Sequence, residues 1–440
     1  MKVRLIHIWE ALRSSYWFVP GLIGAAGLAL SFITITLDIE LEREVIRTLG
    51  FFWTGGPEGA RGLLETIAGS MITVAGVTFS ITMVALSQAS AQFGPRLLRN
   101  FMRDTGNQIV LGTSVATFLY CILVLRTIRV EPEFVPYISV TVGLVLSILS
   151  LAVLIFFIHH VALSLQAPYV IAEVAQDLFH AIDRLFPSEV GQQPPEDGEE
   201  KIRGDYEKAF AANGQEITAP RSGYLQAVDE NGLMELAKSN DIHIRLLYRP
   251  GHFVIHNNII AKILPLKDAN DEVKRKVQQA FIIGNERTPT QDVEFAISQL
   301  VEVAVRSLST GMNDPYTAIT CIDWLSAALS HLVSKPFPAH HRYDKEGDLR
   351  IVVEKPITFE GITDAAFNQI RQYSEGSVDV NIRLLEGISL IIEQTQNDAY
   401  RDILLQHARM IKRESLKEAP SRQDRKDMVA RYERIKQQNE

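Results

Sequence analysis

Four long apolar runs dominate the first 160 residues of the chain. They span residues 17–37, 67–86, 109–125 and 134–158, and none contains Asp, Glu, Lys or Arg. A helix of about 20 such residues crosses the ~30 Å hydrocarbon core of a bilayer. The alternative is that the four runs are buried helices of a water-soluble domain, but four such runs would not be expected within 165 residues. The pattern therefore predicts four transmembrane helices in residues 1–165, and the first run is long enough to be an uncleaved anchor rather than a signal peptide.

The pattern of apolar positions changes after residue 165. Residues 166–214 indicate an amphipathic helix and a polar linker, and strand-length alternation predicts a small β-rich module over 215–285. Residues 286–413 have helical periodicity interrupted by one hairpin, and the dense charge of 414–440 predicts a mostly solvated or disordered tail. The predicted fold is an α-helical membrane domain of four transmembrane helices plus a mainly helical α+β cytoplasmic domain with a small β module.

Charge is distributed unevenly between these two parts. Residues 166–440 carry 33 Lys and Arg against 42 Asp and Glu, which accounts for nearly all of the net charge of −8. An acidic domain does not favour nucleic acid as a partner, because phosphate binding needs a basic face. The two cysteines, Cys121 and Cys321, are too few for a disulfide framework or a cysteine-based zinc site.

Orientation follows from Lys and Arg in the short loops. With the N-terminus inside, the inner segments hold six of these residues and the outer loops five, a small bias. The reverse topology would export the long charged C-terminal domain, which has no paired cysteines to support that location. We therefore expect both termini in the cytoplasm.

The second apolar run carries an unusual stripe of hydroxyl and small residues. Its members follow one another mostly at steps of three or four and so share one helix face: Thr66, Ser70, Thr73, Gly76, Ser80 and Ser87. Such a stripe must face another helix or water. It predicts either the lining of a pore formed by several copies or tight packing between helices, and the second explanation is the more common one.

A basic, amphipathic segment follows this run directly. Three arginines alternate with Leu and Phe at helical spacing, namely Arg96, Arg99 and Arg103. The pattern is typical of an interfacial helix that binds anionic lipid headgroups. The alternative is a basic ring at the inner mouth of a pore.

Two compact polar clusters mark helix boundaries in the C-terminal half. Residues 288–291 predict a capping box, while Gly311 and Asp314 predict a helix stop and a new N-cap. The candidate ligand-binding side chains in these clusters are Gln291, Asp292, Ser309, Asn313 and Asp314. The ordinary capping and termination of two consecutive helices explain the same residues. Neither a metal-ligand spacing nor a nucleotide or hydrolase motif is present, so we expect no metal, no cofactor and no enzyme activity.

Several motifs resemble a bacterial family of predicted membrane proteins of unknown function, DUF2254. The similar segments are FSITMVALSQ at 79–88, QFGPRLL at 92–98, RSGYLQ at 221–226, RTPTQD at 287–292 and NDPYTA at 313–318. The chain departs from the family pattern in Phe-Gly-Pro at 93–95, where we expect Ser before Pro, and at 308–313, where we expect a Ser-Pro-Gly-Ile-Asn form. The resemblance implies a bacterial inner-membrane location and supplies no activity or catalytic residues.

Two functional hypotheses follow from these patterns. The first is a homo-oligomeric channel, lined by the hydroxyl stripe and gated by the cytoplasmic domain. The alternative is a membrane-anchored sensor or scaffold whose cytoplasmic domain binds a small ligand or protein. In both cases the lipid membrane is a partner.

Overall fold

The computed structural model describes residues 15–41, 55–97, 101–102, 104–131, 134–186, 208–210, 214–264, 271–419 and 421–439. These residues divide into two compact units after Tyr169.

The N-terminal unit consists of four long helices. They are α1 (Phe18–Glu40), α2 (Pro57–Phe93), α3 (Thr105–Leu125) and α4 (Tyr137–Ser164). All four are long and apolar enough to cross a membrane, as the sequence predicts. Helix α2 has 37 residues and is therefore about 55 Å long, longer than the ~30 Å of hydrocarbon that it would cross.

Helix α3 lies at the centre of this unit and packs against the other three helices. Close approach to α1 depends on a glycine, because a Cβ built on Gly27 would lie 2.9 Å from the Ala116 Cβ. The Tyr120 hydroxyl, which is fully buried, lies 2.9 Å from the Thr34 hydroxyl and donates to the Ser139 carbonyl at 3.0 Å. The small residues of α1 are thus used for packing within the chain.

The C-terminal unit begins with the amphipathic helix α5 (Ala167–Leu185), and two sheets follow. Its strands are β1 (Gln215–Thr218), β2 (Gly223–Val228), β3 (His243–Leu246), β4 (Phe253–Val254), β5 (Ile259–Leu264), β6 (Phe281–Gly284), β7 (His341–Tyr343) and β8 (Leu349–Val353). The five-stranded sheet has the order β1-β5-β3-β8-β7 and the three-stranded sheet β4-β2-β6. Two short helices, α6 (Glu230–Ser239) and α7 (Asp271–Gln279), pack against the strands.

The hairpin β7–β8 belongs to the β module and not to the helical region in which the sequence places it. Strand β8 pairs in parallel with β3, with Ile351 opposite Ile244. Both side chains are buried in the apolar core of the module. The boundary predicted at residue 285 therefore separates strands that form one sheet.

Six helices complete the chain. They are α8 (Val293–Ser307), α9 (Pro315–Leu332), α10 (Phe359–Tyr373), α11 (Val378–Gln394), α12 (Asp398–Glu418) and α13 (Arg422–Asn439). Neighbouring pairs pack through apolar faces, α9 against α11 and α10 against α12 among them.

The described part of the tail over 414–440 is helical rather than disordered, although most of its side chains are exposed or half-buried. Helix α12 continues to Glu418, and α13 packs against α11 and α12. Met428 and Ile435 are almost completely buried. They lie seven residues apart and so on one helix face, which packs a helix whose other positions are mostly polar or charged.

Two predicted helix ends are also corrected. The N-cap of α8 is Asp292, whose carboxylate accepts from the Phe295 amide at 3.0 Å, and not Thr288. Asn313 has a positive φ of 48°, a conformation that Gly311 does not adopt. Asp314 does cap α9 as predicted, since its side chain accepts from the Thr317 amide.

Candidate functional site

The hydroxyl stripe of α2 lies on the outside of the N-terminal unit. All six predicted positions are exposed: Thr66, Ser70, Thr73, Gly76, Ser80 and Ser87. Four hydroxyls donate to the carbonyl four residues earlier at 2.7–3.0 Å, those of Thr66, Ser70, Thr73 and Ser80. These four hydroxyls are thus satisfied within the helix, and the face that carries them is exposed.

The opposite face of α2 packs into the core of the unit. Ala60, Leu64 and Ala68 are buried there. On the stripe side, by contrast, a Cβ added to Gly69 or Gly76 would meet no described atom within 4 Å. Packing within one chain therefore explains the small residues of α1 but not those of α2.

The stripe is not uniformly polar. Val84 lies four residues after Ser80 and three before Ser87, so it occupies the same face. Its side chain is 70% exposed, the most exposed large apolar residue of α2. Val77 has the equivalent position, four residues after Thr73 and three before Ser80, and is 53% exposed. An aqueous path along this face would therefore include two apolar levels.

The predicted basic helix after α2 is interrupted. Gly94 has a φ of 106° and ends α2, and a 3-10 turn follows over Pro95–Leu97. Arg96 is exposed in this turn. Arg99 and Arg103 lie outside the described residues, so their part in a lipid-binding or pore-mouth ring stays a prediction.

Asp38, near the end of α1, is a site that the sequence patterns do not reveal. Its carboxylate accepts from the Ile138 amide at 2.8 Å, the Ser139 amide at 2.9 Å and the Ser139 hydroxyl at 2.6 Å. These donors are at the start of α4, whose N-cap, Pro136, offers no side-chain acceptor. Two signals could have suggested the contact between Asp38 and the start of α4. One is an acidic residue directly after an apolar run, and the other is a helix start without a capping side chain.

A hydrogen bond between side chains joins the start of α3 to the end of α4. Asp104 is the N-cap of α3, accepting from the Gly106 amide, and its carboxylate also lies 2.7 Å from Nε2 of His160. The His160 ring stacks on Phe156. Together with Asp38, this pair fixes α4 against its neighbours at both ends.

The candidate ligand residues of the C-terminal unit do not form one site. Gln291 and Asp292 precede α8, and Ser309, Asn313 and Asp314 follow it. The 15 residues of α8 separate the two groups by about 22 Å.

Gln291 and Asp292 join α8 to the β module. The Gln291 amide forms two hydrogen bonds with the backbone of Val228, at 2.9 and 3.1 Å. Asp292, 1% exposed, pairs with Arg287. Burial raises the pKa of Asp292, although Arg287 and the Phe295 amide oppose this shift.

The segment 221–226 contacts the strand that leads into the segment 287–292. The pairing of β2 with β6 places the Gln226 side chain against Gly284, where it donates to the Glu286 carbonyl at 2.8 Å. Arg221 donates to the Ile283 carbonyl. These contacts hold β2 to β6 and to Glu286, which directly precedes the segment 287–292.

The loop between α8 and α9 is an exposed turn. The Ser309 hydroxyl donates to the Arg306 carbonyl at 2.6 Å, and the Asp314 carboxylate accepts from the Thr317 amide and hydroxyl. Met312 and Tyr316 are exposed beside them. Within the described part of the chain, no three His, Cys, Asp or Glu side chains lie close enough to hold a metal ion.

Comparison with known proteins agrees with this architecture. The chain is 30% identical over 434 residues to uncharacterized proteins of Mycobacterium bovis and Mycobacterium tuberculosis, covering 95% of this chain and 79% of each relative. No solved structure matches the chain. A family model described as a predicted membrane protein matches residues 13–389, a range that includes all four apolar helices and both sheets. The chain therefore belongs to the DUF2254 family of predicted membrane proteins.

Proposed function

We propose that this protein forms a homo-oligomeric channel in the bacterial inner membrane, with the α2 stripe lining the path. The observation that carries the proposal is the length of the exposed stripe. From Thr66 to Ser87 it rises by about 32 Å, the full thickness of the ~30 Å hydrocarbon core. A contact that only packs two helices needs a shorter run of small residues, such as two glycines four residues apart.

The hydroxyl groups of the stripe suit a weakly selective path. Each of the four bonded hydroxyls keeps lone pairs that can accept from water or coordinate a cation. Val77 and Val84 add two apolar levels to the same face. Apolar constrictions close pores by excluding water, so Val84, the more exposed of the two, is the proposed gate.

The orientation in this proposal has both termini in the cytoplasm. The C-terminal unit is acidic and densely charged, and both cysteines are buried and unpaired. A domain of this kind is more readily left in the cytoplasm than exported.

Two measurements test the channel. Light scattering of the full-length protein in mild detergent should give a ring of three or more subunits, and planar-bilayer recording should give unitary currents. Val84→Ser should increase the open time and Ser80→Phe should abolish the current. Ile72→Phe is the matched control, since Ile72 is exposed on another side of α2. A monomer, or a protein silent under voltage, tension and salt gradients, would refute the proposal.

A second candidate is a membrane-anchored sensor whose C-terminal unit binds a small ligand. The observation that favours it is a polar cleft of about 230 Å³ between α10 and α12. In that case Ser80→Leu would weaken assembly without changing any flux, and the protein would bind its ligand in the absence of current.

A further inference from the structure

A cleft between α10 and α12 has a polar lining and an unusually buried floor. Its volume is about 230 Å³. Polar and charged side chains of α10 form one wall, and α12 supplies the other: Glu360, Asp364, Asn368, Arg371 and Gln372 face Ile403, Gln406, His407 and Met410. The size suits a small metabolite rather than a drug-sized ligand.

His407 lies at the bottom of this cleft and is 2% exposed. Its Nε2 lies 3.3 Å from the Asp364 carboxylate, and its ring meets the edge of Phe367. Burial lowers the pKa of His407, so the ring is neutral at pH 7. With the Nε2 proton directed at Asp364, Nδ1 carries a lone pair. Among the described residues this buried Nδ1 has no hydrogen-bond partner.

Arg371 does not make the cleft positive. Its guanidinium pairs with Glu414 and donates to the Asn368 side chain. The charge of Arg371 is therefore compensated outside the cleft lining, while its buried Nε–H has no acceptor within the described part of the chain. The carboxylates of Glu360 and Asp364 have no basic partner among the described residues other than His407, which is neutral.

These groups define the chemistry of a ligand. Two carboxylates favour a cation and repel an anion. The Nδ1 lone pair of His407 requires a donor, and the Nε–H of Arg371 requires an acceptor. We propose that the cleft binds a small primary amine in its ammonium form, and that a hydroxyl on the same molecule accepts from Arg371. The proposal concerns the C-terminal unit alone and does not depend on the channel.

Isothermal titration calorimetry of the full-length protein in detergent tests the proposal with ethanolamine as the probe. Ethanolamine should bind, and ethylamine should bind more weakly because it leaves the Arg371 donor unpaired. Ethanol and acetate should give no heat, since neither supplies a cation. O-phosphoethanolamine, which has the chemistry of a lipid headgroup, should bind more weakly than ethanolamine because its phosphate faces the two carboxylates. Equal or tighter binding of the phosphate ester would overturn the proposal in favour of a headgroup site.

Substitutions of the carboxylates localise the binding. Asp364→Asn should weaken ethanolamine binding about tenfold, because it removes one charge-assisted contact. Glu360→Gln should also weaken binding, and its position at the exposed rim makes it compatible with folding. Asp402→Asn is the matched control, because Asp402 is an exposed aspartate of α12 outside the cleft lining. The proposal fails if ethanolamine gives no heat, if acetate displaces it, or if Asp364→Asn and Asp402→Asn have the same effect.

Discussion

Replacement of Asp38 by alanine should destabilise the N-terminal unit, because this carboxylate alone caps α4. The substitution removes the acceptor for the Ile138 and Ser139 amides and for the Ser139 hydroxyl. Asp38 is only 8% exposed, so water replaces these bonds poorly.

The magnitude follows from the number of hydrogen bonds and their setting. Loss of an N-cap side chain costs ~0.5–2 kcal/mol, and each hydrogen bond to a charged group contributes ~1.5–3 kcal/mol. For three such bonds at one buried helix start, we expect a loss of about 3 kcal/mol in the free energy of unfolding. In a unit of this size that corresponds to a fall of roughly 6–12 °C in the unfolding temperature.

Thermal unfolding of the full-length protein in detergent measures this effect. Glu40→Ala is the matched control, since Glu40 is an exposed acid two residues further along α1, and it should change the free energy by less than ~0.5 kcal/mol. Asp38→Asn keeps one acceptor oxygen and should fall between the two. If Asp38→Ala and Glu40→Ala unfold at the same temperature, the capping role assigned to Asp38 is wrong.

Three further predictions concern packing and pH. Gly387→Ala should destabilise the C-terminal unit by ~1–3 kcal/mol in denaturant unfolding, because the new Cβ would lie 2.2 Å from the Ser326 Oγ. Adding Ser326→Ala should restore part of the lost stability. If the double variant is no more stable than Gly387→Ala, the contact with Ser326 is not the cause. Gly27→Leu should separate α1 from α3 at Ala116 and lower the yield of folded protein in size-exclusion chromatography, whereas an unchanged profile would contradict the packing. The pKa of His407 is lower in the folded state than its ordinary value, so the unfolded state takes up a proton first as the pH falls. Stability should therefore decrease from about pH 7 to pH 5, and it should decrease less in His407→Gln. Identical pH profiles of the two proteins would contradict this role of His407.

The apolar helices could be predicted from sequence because their signal is local. Twenty consecutive apolar residues identify a span without knowledge of its neighbours, and strand-length alternation indicated the β-rich module over 215–285 in the same way. The helical order of the tail was not predicted, because its apolar face consists of little more than Met428 and Ile435 among the dense charge of 414–440.

The features that escaped prediction depend on residues far apart in the chain. Asp38 meets Ser139 across 101 positions, and β8 joins β3 through a parallel pairing that leaves no trace in local periodicity. His407 could have been suspected, since it lies on the apolar face of α12 beside Leu404 and Ile411, but its cleft is visible only with α10 in place. The α2 stripe was found from spacing alone; its exposure required the packed helices.

The rate of cysteine modification by a charged, membrane-impermeant thiosulfonate tests the aqueous path along α2 most directly. Single substitutions are introduced one at a time at Thr73, Ser80 and Phe79, because the native cysteines are buried and should react slowly. Phe79 is exposed but lies about 100° from Ser80 around the helix. If the stripe lines a water-filled path, Thr73→Cys and Ser80→Cys react quickly and lose current, while Phe79→Cys stays unmodified in lipid. Equal rates at all three positions, or no reaction at Ser80→Cys, would contradict the channel.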